Sequence, residues 1–155
     1  MDQNLTIRQL AAATNLSRGQ IDQWISRGYF KPKHSAEVGK ARAFTIRDAV
    51  ALGAFAELVR IGLPPAVASR HVHNTSAFTD DDALLVVTQG PIEIATSPSD
   101  GTTRTFYDPD NPGIQAHVIR ARELIEFATD PNVRSMAVVN LNEVEKRVLK
   151  AIGTA

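Results

Sequence analysis

The sequence predicts an α+β protein in two parts, on three observations. Residues 5–72 space their apolar side chains as short helices do. Beyond the polar stretch 74–82, short β-branched runs alternate with turn residues and helical patterns. The charge divides at the same place, because residues 1–72 carry ten Lys/Arg against five Asp/Glu and residues 73–155 carry seven against twelve. We therefore predict two domains, 1–73 and 74–155.

Two N-cap residues mark the start of two short helices in the first part. Thr6 precedes a helix predicted to run to about Ala13, and Ser17 precedes a second that ends near Arg27, before the helix-stopping Gly28. The apolar stripe of the second helix consists of Ile21, Trp24 and Ile25. Two short helices joined by so tight a turn predict a helix-turn-helix.

The sequence after the second helix of the first part predicts a wing and two more helices. Residues 33–43 have the composition of a wing-like loop. Thr45 is predicted to cap a long helix that continues to Ile61 and stops at Gly62. A further short helix starts with Pro64 and Pro65 and reaches about residue 72, since proline is harmless in a first turn.

The second part predicts a small α+β domain with an antiparallel meander. Strand-like runs occupy residues 84–87, 92–95 and about 102–107, and a short strand is expected at 136–139. Residues 110–128 predict a helix, and a last helix carries one apolar stripe, formed by Leu141, Val144, Val148, Leu149 and Ile152. We expect this stripe to hold a homodimer through residues 75–155; the alternative is that it packs onto its own sheet.

Several kinds of chemistry lack support in the sequence. There is no Cys, so disulfides and thiolate sites are excluded, and no run approaches the ~20 apolar residues of a membrane span. The start of the chain lacks the pattern of a secretion signal, which favours the cytoplasm. Nothing near His71 and His73 in the sequence completes a tetrahedral metal site. We expect no catalytic residues, no metal and no cofactor.

A helix-turn-helix on a basic half indicates duplex DNA as the partner, because a helix fits the major groove. Gln23 and Arg18 are the best base-reading candidates, since Gln pairs with adenine and Arg with guanine. Trp24 is expected in the core. The predicted DNA-contacting residues are Ser17, Arg18, Gly19, Gln23, Arg27, Lys31, Lys33, Lys40 and Arg42, the last three lying in the wing. The alternative for each is an ordinary solvated side chain.

At these positions residues 5–72 resemble the MerR family of transcriptional regulators. The matching marks are Leu16-Ser17, Ile21, Gly28, Pro32, Arg42-x-Phe44 and Asp48 through Leu52. The resemblance implies a winged helix-turn-helix, with the recognition helix in the groove and Arg42 and the wing against the phosphates. The chain departs from the family in two places. It has Asp22-Gln23-Trp24 where Arg and two Tyr are usual, and strand-like sequence replaces the usual long dimerising helix.

Three functions remain open. The first is a sequence-specific transcriptional regulator whose second domain dimerises or binds a small-molecule or protein effector. The second is an excisionase-like or architectural DNA-binding factor of a mobile element, although such factors are usually shorter than this chain. The third makes the C-terminal part a ligand-binding or enzymatic module that the winged helix targets to DNA.

Overall fold

The computed structural model describes residues 3–72, 82–90, 104–107 and 113–153. Its helices are α1 (Ile7–Thr14), α2 (Arg18–Ser26), α3 (Ile46–Arg60), α4 (Pro65–Arg70), α5 (Leu124–Thr129, preceded by a 3-10 turn at Ala121–Glu123) and α6 (Leu141–Gly153). Its strands are β1 (Asn4–Leu5), β2 (Phe44–Thr45), β3 (Ala83–Gln89), β4 (Arg104–Tyr107), β5 (Ile114–Arg120) and β6 (Ser135–Asn140). This mixture of helices and antiparallel strands is the predicted α+β class.

The predicted helix starts of the first part are confirmed by their cap geometry. Thr6, Ser17 and Thr45 each accept a hydrogen bond from the backbone N–H three residues on, and the side chain at that third position reaches back to the cap. Asn15 adopts the left-handed conformation at φ 54°, which makes the turn between α1 and α2 tight. Gly62, at φ 109°, follows the end of α3.

The first strand of the chain closes the wing. β1 pairs antiparallel with β2, so that Leu5 lies opposite Phe44. Both side chains are almost fully buried. The wing residues between α2 and β2 are therefore held at their base by a two-stranded ribbon that is anchored in the core.

The sheet of the second part has the order β4-β5-β3-β6, with every described pair antiparallel. The strands predicted at residues 84–87 and 136–139 are confirmed as the centres of β3 and β6, and β4 lies within the third predicted run. The run at 92–95 lies outside the described residues. The strand order differs from that of a simple meander, because β3 lies between β5 and β6.

The helix predicted over residues 110–128 is wrong for residues 114–120, and its first three residues lie outside the described residues. Residues 114–120 form β5, and only residues 121–129 are helical. Because both faces of β5 are buried, its sequence lacks the strict alternation of polar and apolar residues that marks a half-buried strand. Its apolar residues therefore also fit the spacing of a helix. Strand pairing along all seven residues of β3 decides the conformation.

The sheet lies between two helical layers. One face, which includes Leu85 and Val118, joins the core formed by the helices of the first part. The other face, which includes Val86 and Ile119, packs against Phe127 of α5. The hydrophobic core is therefore continuous across the predicted boundary near residue 73, and the division into two domains remains a prediction.

Helix α6 does not leave its stripe open for a partner. It packs against α1 and α3, with further contacts to β3. Leu141, Val144 and Val148 are almost fully buried, whereas Leu149 is 48% exposed. The apolar stripe from which we predicted a homodimer is thus mostly covered by the first part of the same chain.

Candidate DNA interface

Helix α2 is fixed by its cap and by one buried side. The Ser17 hydroxyl accepts a hydrogen bond from the Gln20 N–H at 3.1 Å, and the Gln20 side chain accepts one from the Ser17 N–H at 3.2 Å. Ile21 is fully buried. Trp24 meets Phe55 edge to face at 4.4 Å between ring centroids, so its predicted place in the core is confirmed.

The opposite side of α2 faces outward. The predicted contact residues of this segment are all exposed, namely Ser17, Arg18, Gly19, Gln23 and Arg27. Arg18 lies 3.6 Å from the Asp22 carboxylate, one turn further on, and both side chains are mostly exposed. Because an exposed pair of this kind contributes little free energy, the Arg18 guanidinium can turn to another anion at small cost.

Asp48 anchors both ends of the wing to the start of α3. One carboxylate oxygen accepts a hydrogen bond from the Lys33 N–H at 3.1 Å, and the other accepts one from the Thr45 N–H at 2.8 Å. Lys31 and Lys33 are exposed at the first end of the wing. Their side chains are therefore presented from a fixed backbone, although the segment has no regular structure.

The wing and α2 enclose a groove of about 470 Å³. Arg18 and Asp22 line it from α2, and Arg42 lines it from the wing. Arg42 also borders a second hollow of about 300 Å³ on the wing, together with His34 and Lys40. The Lys40 ammonium lies 2.7 Å from the Glu37 carboxylate. The structure thus brings Arg18 and Arg42 together, whereas Gln23, Arg27, Lys31 and Lys33 do not line this groove.

Arg60 is a positioning residue that the sequence reasoning missed. Its guanidinium donates to the carbonyl oxygens of Thr14 at 3.0 Å and Asn15 at 3.1 Å, at the turn between α1 and α2. It also donates to the Glu57 carboxylate at 2.8 Å, and that carboxylate accepts a second bond from Arg147 of α6 at 3.1 Å. No local pattern could have shown this contact, since its partners are 45 or more residues apart in the chain.

Two further properties concern the described ranges only. Within residues 3–72, 82–90 and 113–153, no group of three His, Asp or Glu side chains is placed to hold a metal ion. Across the helices that the structure describes, none combines the length and the apolar character needed to cross a membrane.

An outward-facing second helix, a tight turn and a wing rich in cations define a winged helix-turn-helix DNA-binding domain. Residues 5–75 match the model of the family described as MerR HTH family regulatory protein. The match covers less than half of the chain, and it agrees with the MerR-type helix-turn-helix that the resemblance implied for the N-terminal part. No curated protein matches the chain.

Proposed function

We propose that the protein is a sequence-specific transcriptional regulator that binds duplex DNA with α2 in the major groove and the wing on the phosphate backbone. The observation that carries this proposal is the groove shared by Arg18 of α2 and Arg42 of the wing. A base-reading guanidinium on α2 and a phosphate-binding guanidinium on the wing, on the two sides of one concave surface, suit a DNA strand that lies between them.

The exposed residues of α2 and those of the wing have different roles in this proposal. Gln23 and Arg18 read base edges, because both can form paired hydrogen bonds in the major groove. Lys40 and Arg42 bind phosphates, which fixes the position of the domain but carries no sequence information. Ser17, Gly19, Arg27, Lys31 and Lys33 complete the contact surface.

The test is binding of the full chain to duplex fragments selected from a random pool, measured by fluorescence anisotropy over a series of salt concentrations. Log affinity should fall with log salt at a slope of about −0.9 for each phosphate contact. Arg42→Ala should weaken binding to all sequences and make the slope shallower by about one contact, whereas Gln23→Ala should cost about 1–3 kcal/mol on the selected site alone. Lys146→Ala removes an exposed cation of α6 and is the matched control.

Two results would contradict the proposal. Salt-insensitive or absent binding would refute the DNA interface, and a Gln23→Ala variant that binds all sequences with unchanged relative affinity would refute its role in base reading. Footprints on promoters support a regulator, whereas protection of an attachment site would favour the excisionase-like alternative.

We also propose that the regulator acts as a homodimer through residues 75–155. One winged helix covers too little DNA for high specificity, and a two-fold dimer binds two half-sites at once. Since the buried side of α6 is occupied, the pairing surface must lie elsewhere on this part. Light scattering on the full chain should give twice the monomer mass, and a monomeric mass at micromolar concentration would contradict this assembly.

A further inference from the structure

A cavity of about 550 Å³ lies where the first part of the chain meets the C-terminal sheet. Leu63 and Val67 line it from the segment that follows α3, and Val87, Ile114 and Ala137 line it from three neighbouring strands. It shares no lining residue with the groove between α2 and the wing. It is therefore separate from the proposed DNA interface.

The lining of this cavity selects against ions. None of the described side chains that line it carries a formal charge. Its polar groups include the Gln89 amide and the Ser135 hydroxyl, which lie 3.5 Å apart at the exposed ends of β3 and β6. An ion bound there would meet no counter-charge among these side chains, whereas a neutral apolar molecule would gain from contact with the aliphatic wall. The volume falls within the range of about 300–1,000 Å³ typical of small-molecule sites.

We infer that this cavity binds a neutral, largely apolar small molecule with a hydrogen-bonding group directed at Gln89 and Ser135. Such a molecule would contact the turn after α3 on one side and the sheet on the other. The position of the turn matters because Ile61 and Gly62, which line the cavity, directly follow Arg60. Arg60 holds the turn between α1 and α2, so occupancy of the cavity is coupled to the geometry of the helix-turn-helix.

The binding test uses the full chain and two fluorescent probes with the same aromatic skeleton. N-phenyl-1-naphthylamine is neutral and carries one N–H, whereas 8-anilinonaphthalene-1-sulfonate adds an anionic group. We expect saturable one-to-one binding of the neutral probe, with at least about tenfold weaker binding of the sulfonate, a difference of ~1.4 kcal/mol. Absence of saturable binding by the neutral probe, or equal affinity for both probes, would overturn the inference.

Substitutions locate the bound probe. Ala137→Phe fills the cavity from β6 and should abolish probe binding, whereas the matched control Ala128→Phe, on the exposed surface of α5, should leave it unchanged. Circular dichroism checks that each variant is folded. If Ala137→Phe fails to fold, Ala137→Leu should weaken binding by at least about threefold, since it removes only part of the volume. Unchanged binding in the folded variant would overturn the inference.

The coupling rests on the DNA-binding function proposed above, and the probe measurements do not. Saturating neutral probe should change the affinity of the native protein for the selected duplex at least about threefold. The affinity of the Ala137→Phe variant, or of Ala137→Leu in its place, should change less. An unchanged affinity would overturn the coupling. Loss of DNA binding with intact probe binding would instead refute the proposed function and leave the ligand site standing.

Discussion

The packing of α6 on α3 can be tested at their closest approach, which is Gly53. A Cβ added there would lie 2.6 Å from Cγ1 of Val144, a buried side chain whose β-branch restricts rotation. Gly→Ala in an open helix stabilises by about 1 kcal/mol, but overpacking a core costs about 1–3 kcal/mol. Because neither helix can easily yield, we expect Gly53→Ala to lower the free energy of unfolding by about 1–2 kcal/mol.

A double-mutant cycle separates this clash from other effects. Val144→Ala alone removes two buried methyl groups and should cost about 2 kcal/mol, but it also makes room for the new Cβ at position 53. In that background Gly53→Ala should be neutral or stabilising by up to about 1 kcal/mol. Urea unfolding followed by circular dichroism gives all four values. The control is Gly19→Ala on exposed α2, whose Cβ would meet nothing nearer than 3.9 Å. If Gly53→Ala were stabilising in the native background as well, α6 would not pack here.

Three further changes probe charge and protonation. Asp22→Asn should raise the affinity for any duplex about fivefold at low salt, since it removes ~1 kcal/mol of phosphate repulsion beside Arg18; unchanged anisotropy titrations would contradict this. Burial lowers the pKa of His117 from 6.5 to about 4. Between these pH values the unfolded chain is protonated at His117 and the folded protein is not, so up to about 3 kcal/mol of the free energy of unfolding should be lost as the pH falls from 6.5 to 4. His117→Gln should flatten this slope in urea unfolding, and a slope equal to that of the native protein would refute the assignment. Glu57→Gln should lower the free energy of unfolding by less than about 1 kcal/mol, because the ion pair with Arg147 is partly exposed. The loss should be smaller in a variant that already lacks Arg147.

The helix starts were predictable because their causes are local. Thr6, Ser17 and Thr45 each satisfy an orphan N–H within the first helical turn, and the residue that returns the hydrogen bond lies three positions on. The same holds for the tight turn and for Gly62 after α3. The features that identified the first part as a winged helix-turn-helix were of this kind, and the family match at residues 5–75 confirmed them.

The second part was harder because distant partners decide its conformation. Residues 114–120 become a strand by pairing with β3, about 30 positions earlier, and not through their own pattern. The stripe on α6 was read correctly as apolar, but the sequence could not show that α1 and α3 cover it. At the candidate site the exposed side of α2 followed from the position of Ile21, whereas the groove that Arg18 and Arg42 both line depended on the path of the wing.

These long-range contacts connect the C-terminal part physically to the proposed DNA interface. The turn of the helix-turn-helix is held by Arg60, Arg60 shares the Glu57 carboxylate with Arg147 of α6, and α6 packs along α1. A rigid recognition helix loses less entropy on binding than a mobile one, so contacts that fix this frame would strengthen the proposed binding to DNA. The core runs unbroken from α1 to the sheet, so α6 and the turn after Arg60 lie in the same close-packed unit as the helix-turn-helix. Through these contacts the C-terminal part is packed against the helices that position α2.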